Sequence, residues 1–190
     1  MTRALLISED YIKNNTTISE NVDWKLLQPI VFMCQDIHVE AILGSKLYQD
    51  LMLQINADPT LSANPNYKTL LTDYVLPTLH YYIMKESVYA FKFRFMNKGV
   101  MIKNSEYGQP GDTGDLKLLI DNYRNISEAY AERATKYLMY NTGLYPLYFK
   151  NINNDIQPNR KNYSTGIDLG DYGKYDNEDR RTNFGRQQFS

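Results

Sequence analysis

Cysteine is nearly absent: Cys34 is the only one in 190 residues. No intrachain disulfide can form, which suits a reducing cytoplasm or a particle assembled there. Histidine is almost as scarce, His38 and His80 being the only two. Cys34 and His38 lie four apart and could face one metal ion, but no His or Cys cluster supplies the rest of a tetrahedral set. An excess of either charge is missing too. With 21 Lys/Arg against 22 Asp/Glu the formal net charge is −1, so nothing draws the whole chain toward nucleic acid or an anionic membrane. The longest uncharged apolar stretch, Tyr74 to Met84, is too short to span a bilayer. The opening "MTRALLISED" falls short of a signal peptide. A soluble, intracellular protein is the expectation.

Catalytic signatures are missing as well. "GQPGDTGD" has neither the Lys nor the preceding strand of a phosphate loop. There is no G-x-S-x-G elbow and no serine–histidine set. Asp36 and Glu40 share a helix face, which most often is just a solvated face, and nothing suggests the raised pKa of an acid–base pair. His80 reads as a hydrogen-bonded core residue, and Cys34 with His38 as a core thiol beside a half-exposed imidazole. No enzyme, metal or cofactor is expected.

What is present begins with hydrophobic residues, 43% of the chain, enough for a real core, and with 17 tyrosines against one tryptophan. Tyrosine pairs an apolar ring with a hydroxyl that needs a partner, which favours surfaces wet in one state and buried in another. We read the excess as a Tyr-lined assembly surface; the alternative is that Tyr replaces Phe in the core.

Helical periodicity covers most of residues 1–150. Ser8 before Glu9 and Asp10 starts a short helix ending near "NNTT". Ser19 or Asn21 can cap a second, over Asp23 to Leu43, with Leu26, Leu27, Ile30, Met33, Cys34, Ile37 and Ala41 at three- and four-residue steps. Pro29 should kink it or detach its first turns. Gly44 ends it and Ser45 caps the next helix. After the loop "NADPTLSANPN", Asn64 and Pro65 open a long helix to about Tyr89 that is apolar nearly all round, kinked at Pro77 and buried by its own domain or by neighbours. A last helix starts at Asp112 or Thr113 and ends at Gly143. Its stripe is Leu116, Leu119, Ile120, Tyr123, Ile126, Tyr130, Ala134, Tyr137 and Leu138.

Two segments depart from that pattern. In "FKFRFMNKGVMIKN" the phenylalanines alternate at a step of two, and "NKG" suits a three-residue hairpin loop. A continued helix is the competitor. Lys92, Arg94, Lys98 and Lys103 make this hairpin basic. On a strand, however, phenylalanines and cations point to opposite faces, whereas base stacking needs them together. The basic face therefore belongs to solvent or a neighbour's acids. From Asn151 to Ser190, six Lys/Arg balance six Asp/Glu, and the apolar residues are sparse: Ile152, Ile156, Tyr163, Ile167, Leu169, Tyr172, Tyr175, Phe184 and Phe189. Such an arm cannot offset its ordering entropy alone. The spacing suits an extended strand dropping side chains into a partner's pockets, with an arm folded back on its own body as the alternative. The fold class is thus mainly α: a bundle of about four to five helices in a domain over 1–150, a small β-hairpin near 91–103, and an extended C-terminal arm over 151–190.

The succession from "LLISEDYIKNN" through "NVD", "LLQP" and "ILGSKLYQDL", with "DYVLPTLHYYIMKES" and "FRFMNKGVMIKNSE", resembles the head–tail connector proteins of tailed bacteriophages, most of all the ring proteins of crAss-like phages. The resemblance runs from about Leu5 to Tyr148. It implies a virion structural protein, a helical subunit of a homo-oligomeric ring, commonly dodecameric, in the neck between portal and tail. Such a portal adaptor is assembled in the host cytoplasm, extends the DNA channel used in genome ejection, and docks the tail. It implies no catalytic residue, no cofactor and no membrane. A near-neutral body suits a channel through which DNA slides without sticking. The alternative from another class is a helical nucleic-acid-binding module using the basic hairpin 92–103.

Overall fold

The computed structural model describes residues 4–96, 99–102, 113–150 and 156–159. These residues are mainly helical. Among them six helices follow one another: α1 Glu9–Asn15, α2 Trp24–Leu43, α3 Ser45–Ala57, α4 over 65–92, α5 Thr113–Tyr140 and α6 Pro146–Phe149. Between α4 and α5, β1 (Phe93–Met96) and β2 (Gly99–Ile102) pair antiparallel, Phe93 opposite Ile102 and Met96 opposite Gly99. Phe91 and Lys92, which the step-of-two pattern assigns to a strand, complete the last turn of α4 instead. The loop residues at 97–98 and the side chains of Arg94 and Lys103 lie outside the described residues, as does Lys98.

Local chemistry sets the helix starts. Ser8 caps α1 by accepting from the Tyr11 N–H at 3.1 Å, with Glu9 and Asp10 at the positive end. Asp23, rather than Ser19 or Asn21, caps α2, its carboxylate accepting from the Lys25 N–H at 3.0 Å. Ser19 is used one turn earlier, accepting from the Asn21 N–H. Pro65 takes the first position of α4, while the Asn64 amide turns away to donate to Gln54 at 2.7 Å.

Both α2 and α4 contain a proline and a wide, π-helical turn. In α4 the Leu76 N–H reaches back five residues to the Leu71 carbonyl, immediately before Pro77, which has no N–H to offer. The extra residue opens the ladder where the pyrrolidine ring would crowd the carbonyl four residues earlier. In α2 the Glu40 N–H bonds to the Gln35 carbonyl across the same kind of turn. The helix runs unbroken through Pro29, and Leu27, Ile30 and Val31 are buried, so its first turns are not detached. The wide turn has a second effect: Gln35 points inward, fully buried, and clasps the N-terminal segment. Its Oε1 accepts from the Leu6 N–H at 2.9 Å and its Nε2 donates to the Ala4 carbonyl at 3.2 Å. Both polar ends are satisfied, so burial costs little.

α4 is the axis of the core, packed along α5 and against α2. From Tyr74 to Val88 none of its residues is exposed. The burial that its all-round apolarity demands is therefore met within one chain. The tyrosines contribute to this core. Tyr145 and Tyr148 are fully buried, and Tyr74 stacks on Tyr137 at 3.9 Å and Tyr81 on Tyr130 at 5.3 Å. Hydroxyls find partners inside: Tyr145 donates to the Asn66 carbonyl at 2.7 Å and meets the Tyr137 hydroxyl at 3.2 Å, and Tyr67 donates to Asp50. Among the described tyrosines only Tyr89 and Tyr140 are exposed. Among the described residues the tyrosines are thus mostly part of a Tyr-rich interior rather than of a surface, with an internal carboxylate and carbonyl satisfying the hydroxyls of Tyr67 and Tyr145.

Candidate functional site

The α2–α3 corner turns on Gly44, whose φ of 75° and ψ of 151° lie in a region open essentially to glycine. Gly44 is also the N-cap position, so Ser45 is the first helical residue and not the cap. Its hydroxyl has two other partners, donating to Glu40 Oε1 at 2.7 Å and accepting from the Ile156 N–H at 2.9 Å. The Ser45 N–H in turn donates to the Ile156 carbonyl at 3.0 Å, and the Asn159 N–H to the Ala41 carbonyl at 2.8 Å. Residues 156–159 thus lie along their own chain's corner, with Pro158 buried. Asp36 accepts from the Tyr48 hydroxyl at 3.3 Å. Asp36 and Glu40, expected on a solvated face, both brace this corner, because the wide turn swings them toward α3.

Beside the corner lies a cleft of about 650 Å³ between α2 and α5. One wall is Ile37, His38, Ala41 and Ile42, the other is Asn125, Glu128, Ala129, Ala131, Glu132 and Thr135, and Asn159 closes one end. The His38 ring lies flat on Tyr82, centroids 3.7 Å apart and planes within 6°. Its Nε2 is 3.7 Å from Glu86, which also pairs with Lys85 at 2.9 Å. Burial pushes His38 below the usual histidine range and the Lys85 charge adds to this, against the pull of Glu86. Two carboxylates stand on the α5 wall. Glu132 pairs with Lys136 at 2.7 Å, whereas Glu128 is exposed and has no ion pair among the described residues.

Cys34 is fully buried, and desolvation pushes its thiol up to about 12. A thiol held protonated in that way is inert as a nucleophile or metal ligand. Among the described residues no group of three or more His, Cys, Asp or Glu could hold a metal ion. His80 departs from expectation. It packs on Tyr81 at 4.0 Å, and its buried Nδ1 meets no hydrogen-bond partner among the described residues.

A second surface feature lies on the outer side of α2. Leu26 is 57% and Met33 38% exposed, and a spacing of seven places both on one face; Ile37, inside the wide turn, is exposed on the cleft side. This helix is long and apolar enough to cross a membrane by length and composition, yet 33% of that apolar window is buried within the chain, among it Leu27, Val31, Cys34 and Val39. One face is core, and no described residue covers the other at Leu26 and Met33. Leu118 and Leu119 on α5 are exposed too.

Of the residues expected to bind partners, Ile156 is described: it is half-buried, and its backbone bonds go to Ser45 of the same chain. Ile152, Tyr163, Ile167, Leu169, Tyr172, Tyr175, Phe184 and Phe189 lie outside the described residues. Lys92 is half-buried, with its ammonium 5.9 Å from the Phe93 ring centroid. Sequence periodicity held no sign of the cleft, since Ala41, Ala129 and Ala131 are notable only for the room they leave.

Residues 39–158 match the model of a protein family described as a family of unknown function, DUF6712. No curated protein and no solved structure matches the chain.

Proposed function

The chain belongs to that family, DUF6712, and from this premise we propose that it is a virion structural protein: a subunit of a ring in a phage neck, between portal and tail. The observation that carries the proposal is the apolar face of α2 at Leu26 and Met33, uncovered by any described residue, on a helix whose other side is core. An apolar face of that kind is what a neighbouring subunit would cover. In a ring the contact is heterologous and closes by rotation, so the face of one subunit meets a different surface on the next. The net charge of −1 fits a channel that must let DNA slide. Neither this role nor the resemblance calls for an active site or a cofactor.

Two finer features fit the same role. The paired strands would form a hairpin whose Arg94, Lys98 and Lys103, with Lys92 at the end of α4, meet a neighbour's acids. The arm beyond residue 163 carries Ile167, Leu169, Tyr172, Tyr175, Phe184 and Phe189 onto the next subunit or ring, where linkage to an already bound neighbour raises its effective concentration. A second reading, a nucleic-acid-binding module, has the cation of Lys92 beside the Phe93 ring in its favour. It requires DNA binding by the isolated protein that falls steeply with salt.

Reconstruction of the virion tests the proposal. A ring of this chain between portal and tail is expected, with α2 at the contact between subunits. The same chain found in the capsid shell or at the tail tip would overturn it.

A further inference from the structure

The cleft and the arm meet at one residue. Asn159 lines the cleft, and its N–H is tied to the carbonyl of Ala41, another lining residue. Asn159, the last described residue before the arm, therefore stands at the cleft wall. The next four residues are Arg160, Lys161, Asn162 and Tyr163. Two cations and then an aromatic ring match what the cleft offers: carboxylates at Glu128 and Glu132, and a floor made by His38 stacked on Tyr82. Among the described lining residues that histidine is the only basic one. Glu128 has no ion pair among the described residues, and Ala41, Ala129 and Ala131 leave the space that incoming side chains need. Reach is no obstacle, since three extended residues span about 10 Å. A segment already tethered at the cleft wall meets it at a far higher effective concentration than a separate molecule does.

We infer that the cleft is the seat of the chain's own residues 160–163, with Arg160 and Lys161 against Glu128 and Glu132 and Tyr163 on the His38–Tyr82 floor. The arm's root is then anchored at home, and only the residues beyond Tyr163 are free to reach a neighbour. Tyr163 moves from the neighbour's pockets to the subunit's own. This seat stands whether or not the chain builds a ring.

Trypsin reads it directly in the full chain. The bonds after Arg160 and Lys161 are compared with those after Arg180 and Arg181 in the same molecule, at concentrations where sedimentation shows a monomer. Cleavage at 160 and 161 is expected to be at least about tenfold slower, since the rate follows the fraction of time the segment is undocked. Ala129→Trp fills the cleft and Glu128→Lys reverses its charge, both from exposed positions on α5. Each should raise cleavage at 160 and 161 to the reference rate while the melting temperature holds. If the tryptophan variant fails to fold, the lysine variant alone decides. Equal rates at both pairs of sites in the wild type would overturn the inference. So would protection that survives both substitutions, and so would protection that grows with protein concentration, which would give the cleft to another copy's segment. A failure here leaves the neck proposal untouched, because that rests on α2 and on the virion.

Discussion

α2 and α4 are built alike and finished differently. Each is a long apolar helix with an internal proline and one wide turn. Each carries one half-buried histidine and contributes several buried aliphatic side chains to the same core. Yet α4 exposes nothing between Tyr74 and Val88, while α2 shows Leu26, Met33 and Ile37 to solvent. Apolarity alone therefore does not say where a helix lies. α4 is apolar because its own chain surrounds it. The outer apolar side of α2 at Leu26 and Met33 is covered by no described residue of its own chain, and that surplus is what the proposed neighbour would cover.

The largest expected effect tests the enclosed helix. Leu79 is fully buried on α4, so Leu79→Ala should destabilise the fold by about 2–5 kcal/mol, the range for emptying a packed leucine site. Urea unfolding of the purified chain measures it. A loss below about 0.5 kcal/mol, the range of ordinary surface substitutions, would mean that α4 is not enclosed as described.

An intermediate effect compares the inner sides of the two helices. Burial holds His38 on α2 and His80 on α4 below the ordinary histidine range, with Lys85 adding to the effect at His38 and Glu86 opposing it. The unfolded chain thus binds more protons than the folded one as pH falls below about 6.5. The stability contributed by the neutral rings is fully present above that pH and is lost as pH drops toward the folded values. The melting temperature should be lower at pH 5 than at pH 7. His38→Asn and His80→Asn should each shrink that difference. If neither does, the inner faces are not alike in burial.

The smallest effect on stability belongs to the open face. Leu26→Ser should change unfolding free energy by no more than about 0.5 kcal/mol, as for exposed sites away from special features. Assembly should respond instead, with fewer copies incorporated into particles in a complementation assay. A large stability loss with unchanged incorporation would reverse the assignment of this face.

Much of the fold was readable because three- and four-residue spacings report helices directly: α2, α4 and the stripe of α5 lie where their apolar residues put them. Gly44 and Pro65 marked their ends for backbone reasons that hold in any context. What could not be read were the wide turns. A π turn adds one residue to a local ladder while the surrounding apolar pattern continues, so the sequence carries no separate mark of it. Gln35, Asp36 and Glu40 owe their roles to that turn, which is why a buried clasp and two corner braces looked like a polar face. The candidate cleft was harder still. A cavity is made by small residues from distant segments, and Ala41 and Ala129 meet only after α2 and α5 pack.

The hydrogen bonds that join Ser45 to Ile156 and Asn159 to Ala41 have a mechanical consequence. They fasten the chain at the bend between two rigid rods, and the seam runs along the corner. Tension applied to the C-terminal end is thus met at Ala41–Ser45, where Gly44 already fixes the angle between α2 and α3. A pull on the end would have to shear these bonds together before it could pivot α3 against α2. The chain would then pass such a pull to its helical frame as a cable fixed at a bracket does, so that the corner moves together with the rest of the body.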